Sequence, residues 1–166
     1  MKYLVVIDMQ PQWFLRDNSL IYKTAAYVNT WSKKYKTILV EYGRNSPTHS
    51  IIKNCAKNST TIYKHDCDGS IELDLYFASQ YSHRNYRKDV DLYICGCYTG
   101  QCVADTTYSL QSMGYNPKLI FELCQQFQET DKYIKNTSQY YNPSRPRQYE
   151  FFKSKQIEIV DAVAAL

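Results

Sequence analysis

The chain has 166 residues, 44% of them hydrophobic, which suits one compact domain with a real core and is short for two. Its formal charge of +4 comes from 20 basic and 16 acidic residues scattered without a basic stripe, so composition gives no support to a nucleic-acid partner or an anionic membrane surface. No apolar run approaches the length of a bilayer span, and the six cysteines, three of them in apolar strand-like or turn contexts, read as reduced thiols of a cytoplasmic protein. The 17 tyrosines, beside frequent Lys and Asn, fit a coding bias as well as a stacking surface.

Residues 2–7 are apolar and β-branched at their centre and stop at Asp8, a first strand with a carboxylate at its carboxyl end. Trp13 and Phe14 precede a helix over about 19–34, with Ala25, Ala26, Val28 and Trp31 inward. A second strand covers 37–42. A loop carrying Pro47 and His49 follows, then an ambiguous stretch, then a short third strand, 61–64, that ends on Lys64. His65, Asp66, Cys67, Asp68 and Gly69 form a polar turn. Ser70 is placed to cap a helix to about residue 79, with Ile71, Leu75 and Ala78 as its inner face, and 84–89 reads as polar linker.

The most informative stretch is 91–115. Leu92, Tyr93, Ile94 and Cys95 are a short apolar run of the kind a buried strand uses, and Gly96 to Gly100 turn the chain. Val103, Thr106, Thr107, Leu110 and Met113 then recur at helical spacing until Gly114, Asn116 and Pro117 stop the pattern. Cys102 therefore sits in the first turn of a helix, at the elbow where a strand feeds it. Unpaired N–H groups and the positive end of the helix dipole predict a thiol pKa below its free value of about 8.5.

Residues 118–123 form a fifth strand ending near Cys124. Residues 130–136 have helical character, 140–147 with Pro143 and Pro146 a loop, 149–153 a short helix and 157–160 a sixth strand. Alternating strands and helices predict a single three-layer α/β/α domain over 1–166, with a six-stranded, mostly parallel, Rossmann-like sheet. In such a sheet Asp8, Lys64 and Cys102 lie along one carboxyl edge and can converge. Each alone also has an ordinary explanation: a helix cap, a solvated lysine, a buried cysteine.

With VVIDMQPQW from Val5, YKHDCDG from Tyr63, ICGCYTGQCV from Ile94 and FELC from Phe121, the sequence resembles the isochorismatase-like cysteine hydrolases, a superfamily that includes nicotinamidases and N-carbamoylsarcosine amidohydrolases. The resemblance covers essentially the whole chain. It implies Asp8, Lys64 and Cys102 as catalytic residues and a cis peptide between Cys97 and Tyr98. It further implies an oxyanion site made by the backbone N–H groups of Tyr98 and Cys102. Cys102 would attack a small amide-type C–N bond, Asp8 would act as base, and a thioester would be hydrolysed in turn. Members that cleave the vinyl ether of isochorismate generally do without the cysteine, so Cys102 favours acyl chemistry.

Nicotinamidases carry an Asp-x-His and a further His after the second strand to hold a metal, where this chain has Glu41, Tyr42, Gly43, Arg44 and then His49. The expectation is therefore a hydrolase without metal or other cofactor. Adjacent residues such as His65 to Asp68 cannot all face one ion, and Cys95-x-Cys97 lacks the redox CxxC spacing. Trp13, Phe14 and Tyr98 are expected to line the pocket of a small-molecule substrate, unless they are ordinary core, and Arg44 to face a substrate carboxylate or phosphate. Family members often assemble, so a homo-oligomer is expected. A hydrolase of another acyl or carbamoyl compound, or an idle member that binds a small molecule or a partner, are the alternatives. Asp8 and Lys64 are both expected at the sheet edge and outside the core.

Overall fold

The run KYLVVI has apolar side chains at adjacent positions, as a strand covered on both faces requires. In the computed structural model it is the central strand β1 (Lys2–Ile7), buried from Tyr3 onward. The structure describes residues 1–13, 18–125 and 145–166, without the side chains of 145–147. The other strands are β2 (Lys36–Tyr42), β3 (Ser59–Lys64), β4 (Asp91–Cys97), β5 (Asn116–Gln125) and β6 (Glu158–Ile159). The helices are α1 (Ser19–Trp31), α2 (Ser50–Cys55), α3 (Ser70–Gln80), α4 (Cys102–Ser112), α5 (Arg145–Ser154) and α6 (Ala162–Ala165).

All described strand pairings are parallel, in the order β3-β2-β1-β4-β5-β6. Both faces of the sheet are covered, because neighbouring positions of a strand point opposite ways. Tyr3 of β1 meets Phe77 of α3 at 5.0 Å between ring centroids, while Tyr93 of β4, paired with Leu4, meets Trp31 of α1 at 5.1 Å. Trp31 and Phe77 are fully buried, one anchor per helical layer. Truncating such an aromatic anchor to Ala typically costs about 3–5 kcal/mol.

The strand order reverses between β1 and β4, and that reversal opens a crevice at the carboxyl ends of the two strands. Gly96 fits the strands together there. Its φ is +132°, and a Cβ built on it would lie 2.0 Å from the Ile7 carbonyl oxygen, so a side chain cannot be accommodated. Pairing between β4 and β5 is also irregular between Ile94 and Gly96, which offsets the end of β4 before the turn into α4.

Several boundaries differ from the sequence expectation. The first helix stops at Trp31, where Ser32 Oγ donates back to the Val28 carbonyl (2.7 Å) and Trp31 Nε1 to the Lys36 carbonyl (3.1 Å), turning the chain toward β2. The ambiguous stretch holds α2. β3 begins at Ser59, β4 runs on to Cys97, and Asn116 and Pro117 already belong to β5. A 3-10 turn, Tyr86–Lys88, occupies the expected linker, and its Arg87 forms an ion pair with Asp74 at 2.8 Å.

The α3 face is a correction. Leu73 and Phe77 are buried, whereas Ile71 and Leu75 are 63% and 65% exposed and Ala78 is also exposed. Ser70 does not cap this helix with its side chain either; its N–H donates to Asp68 Oδ1 at 2.8 Å and Gly69 is the cap residue. Residues 145–147 begin α5 and are not loop, and the sixth strand keeps only Glu158–Ile159. The expected helix over 130–136 and the rest of the loop before α5 lie outside the described residues.

Candidate active site

Asp8 follows β1 directly, at φ 50°, a left-handed backbone that Asp tolerates better than most residues. Its N–H donates to the Val40 carbonyl (2.8 Å), which fixes the turn against β2. From the end of β3, Lys64 reaches under the crevice and places Nζ 2.8 Å from Asp8 Oδ2, with side-chain exposures of 0% and 3%. The ammonium also donates to the Asp66 carbonyl (2.7 Å) and the Cys67 carbonyl (3.2 Å), and it lies 5.1 Å from the Tyr42 ring centroid. Lys64 thus holds both the carboxylate and the turn after β3. The expectation that the pair sits outside the core does not hold, because an ammonium with this many partners can be buried completely.

Cys102 opens α4. The turn before it is tied to β5: Thr99 donates to the Gln125 carbonyl through N–H (2.9 Å) and Oγ1 (2.8 Å), and the N–H groups of Gln101 and Val103 donate to the Tyr98 carbonyl. The Cys97–Tyr98 peptide is cis. On the far side, Thr106 Oγ1 of α4 accepts from Gly69 N–H (3.0 Å), which docks the Cys67 turn onto the cysteine helix. A Cβ on Gly69 would lie 3.0 Å from Lys64 Cδ, so this turn closes tightly over the lysine stem.

The result is a cavity of about 180 Å³ lined by Asp8, Trp13, Tyr42, Cys67, Cys97, Tyr98, Gln101 and Cys102. Trp13 and Tyr98 meet edge to face at 6.3 Å, and Tyr98 Oη donates to the Trp13 carbonyl at 2.8 Å. Phe14 lies outside the described residues. Arg44 is exposed, does not line the cavity, and stacks its guanidinium over Tyr63 at 5.2 Å. Sequence reasoning missed three residues. Gln10 is fully buried and clamps the pocket wall by bonding both the N–H (2.9 Å) and the carbonyl (3.3 Å) of Tyr42, and the Ser46 carbonyl. Gln101 is 4% exposed with Nε2 unpartnered among the described residues, as is Trp13 Nε1. Cys67, weighed only as a metal ligand, shares the cavity with Cys102. The position of Gln101 directly before Cys102 was the one signal available.

The electrostatics of the site correct one further expectation. A hydrogen bond with Cys67, burial and the Asp8 charge all push the Cys102 thiol well above the ordinary cysteine range, and Lys64 opposes them only in part. The direction is opposite to the one the helix terminus alone would give. Burial likewise pulls the Asp8 carboxyl upward, with Lys64 and Cys102 offsetting part of the effect. Burial acts against the Lys64 charge, but Asp8 and Cys102 outweigh it and raise the lysine pKa. Asp8 Oδ1 has no partner of ordinary hydrogen-bond geometry among the described residues, so the thiol–carboxylate contact is looser than the ion pair beside it.

The residues that a metal would need are committed elsewhere. Glu41 Oε1 accepts from the Thr48 N–H (2.7 Å), and His49 Nδ1 accepts from Ile51 N–H (3.4 Å) as the cap of α2. No group of three His, Cys, Asp or Glu side chains suited to a metal occurs among the described residues. Also among them, no helix is long and apolar enough to cross a membrane.

The fold is that of the isochorismatase-like hydrolases. A nicotinamidase and pyrazinamidase from Acinetobacter baumanii superposes with a TM-score of 0.71 at 12% identity, covering 99% of this chain and 98% of its own. A putative hydrolase of the isochorismatase family from Chromobacterium violaceum gives 0.67 at 15% identity over 98% and 90%. The MAR1 ribonuclease from Caenorhabditis elegans gives 0.68 at 18% identity over 99% and 78%. No family model matches the sequence, and no curated protein matches it.

Proposed function

We propose that this single-domain protein is a cysteine hydrolase that cleaves a small amide-type C–N bond through a Cys102 thioester, without a metal. The observation that carries the reading is that Asp8 and Cys102, from separate strand ends, line one small cavity at the reversal of strand order, with Lys64 from a third strand end ion-paired to Asp8 behind it. The same fold in a nicotinamidase and in isochorismatase-family hydrolases supports it.

In this mechanism a planar amide enters the cavity that Trp13 and Tyr98 help to line. Asp8, made more basic by burial, takes the Cys102 proton as Sγ attacks the carbonyl carbon, so the thiol ionises only when the substrate is there to receive it. Backbone N–H groups of Tyr98 and Cys102 receive the oxyanion. The tetrahedral adduct collapses, the C–N bond breaks, and Asp8 returns its proton to the leaving nitrogen. Water, deprotonated by Asp8, then attacks the thioester and releases the acid. Lys64 keeps the carboxylate in place throughout and balances its charge. The donors Trp13 Nε1 and Gln101 Nε2, unpartnered among the described residues, select a substrate that carries acceptors beyond the reacting carbonyl, because a buried donor left unpaired costs about 1–3 kcal/mol.

A panel of small amides assayed for ammonia release, with Cys102→Ala as blank, tests this directly. The expected result is release by the wild type alone, unaffected by chelators. A hydrolase of another acyl or carbamoyl compound would use the same groups: an ester-type acyl substrate would show acid release without ammonia, and a carbamoyl substrate would show ammonia together with carbon dioxide. A second reading, an idle member that binds its ligand without turnover, draws on the raised Cys102 thiol; it predicts saturable binding by the panel with no product.

A further inference from the structure

Cys67 has no part in the hydrolytic mechanism, yet it is held against the nucleophile from several directions. Lys64 Nζ donates to its carbonyl (3.2 Å), Asp66 Oδ1 accepts from its N–H (2.6 Å), and the Gly69 N–H two residues on is fastened to Thr106 of α4. These bonds bring its side chain into the lining of the same small cavity as Cys102. The other cysteines are placed differently. Cys95, Cys97 and Cys124 are buried, with Cys97 Sγ donating to Met9 Sδ at 3.5 Å, and Cys55 is partly exposed at the end of α2 away from the cavity, whereas Cys67 and Cys102 are both partly exposed and line the cavity together.

We propose that Cys67 and Cys102 form a redox-reactive dithiol, a modification site that closes to a disulfide when a hydroperoxide enters the pocket and so switches the hydrolytic site off. In this scheme the Cys67 sulfur reacts first, and Cys102, which shares the cavity with the Asp8 base, resolves it. The Cys67 sulfur attacks one oxygen of the peroxide, the O–O bond breaks, water leaves, and Cys67 becomes a sulfenic acid, oxidised by two electrons. Cys102 then attacks that sulfur, its proton passing by way of Asp8 to the departing hydroxyl, which leaves as a second water. Two thiols and one hydrogen peroxide thus give one disulfide and two waters. A reductant thiol restores the pair by exchange.

The test needs no substrate, so it stands or falls separately from the hydrolase assignment. Purified protein is treated with near-stoichiometric hydrogen peroxide, blocked with iodoacetamide and digested with trypsin without reduction. The expected product is residues 65–84 linked to residues 89–118, with fragment ions placing the bond at Cys102 instead of Cys95 or Cys97, and lost on treatment with dithiothreitol. Cys67→Ser should leave Cys102 alkylatable after the same exposure. A wild-type digest that shows no such link, or shows Cys102 carried to sulfinic acid without it, would overturn the proposal. Loss of Cys102 alkylation at the wild-type rate in Cys67→Ser would also overturn it, since Cys67 would then not be the site of first oxidation.

Discussion

The Asp8 carboxylate has two opposite effects on Cys102: it is the base that must take the proton, and its charge is one reason the proton stays on at rest. Replacing it should separate these effects. Asp8→Asn removes the negative charge and leaves Lys64, so the Cys102 pKa falls and alkylation by iodoacetamide near neutral pH accelerates, roughly tenfold for each unit of fall. Turnover should meanwhile drop by about 10²-fold or more, the usual contribution of a positioned base. An alkylation rate that slows or stays the same would mean that Asp8 does not face the thiol. Stability gives a second prediction for the pair. Both groups are almost fully buried, so Asp8→Asn or Lys64→Met alone should cost roughly 3–5 kcal/mol in chemical denaturation, while the double variant costs much less than the sum. The sequence pointed to both residues at one sheet edge but not to their burial, because the partners of Lys64, Asp8 and the Cys67 turn, are assembled only by the sheet.

At the scale of elements, α3 is held to the rest of the molecule by an ion pair as well as by Phe77. Asp74 accepts from Arg87 Nε (2.9 Å) and Nη2 (2.8 Å), from Tyr86 Oη (2.8 Å) and from Tyr115 Oη (2.7 Å). Bonding by Arg87 holds its pKa down at about 2, below the ordinary carboxylate range. A carboxyl lowered on folding stabilises the fold above its unfolded pKa and loses that contribution as pH falls through the folded one. Asp74→Asn should therefore destabilise the protein by about 1–3 kcal/mol near neutral pH, with the difference from wild type shrinking between about pH 4 and pH 2 in acid titrations followed by circular dichroism. The inner face of this helix was misread for a physical reason. Ile71, Leu75 and Ala78 make one apolar stripe at helical spacing while Leu73, Tyr76 and Phe77 make another, and only the non-local contacts of Phe77 with Tyr3 and Tyr115 decide between them. α2 escaped notice because it has six residues and is capped by a histidine, neither of which leaves a periodic signal. The strands were legible from their apolar, β-branched runs, though their ends moved by up to a few residues where pairing with a neighbour extends them.

For the molecule as a whole, the alternation of strands and helices was enough to foresee a parallel sheet, and a parallel sheet was enough to bring Asp8, Lys64 and Cys102 to one edge. The strand order added what the sequence lacked: β1 and β4 are neighbours on either side of the reversal, so the first and third of these residues flank one crevice while β3 sends its lysine underneath. The chemistry at that crevice is the central claim, and a covalent acyl-enzyme is its most direct sign. Protein mixed with a hydrolysable small amide, quenched in acid within the first turnovers and examined by intact and peptide mass spectrometry, should carry the acyl group on Cys102, and Cys102→Ala should carry none and release no ammonia. Steady ammonia release by Cys102→Ala, with no acyl mass on the wild-type cysteine, would contradict the account.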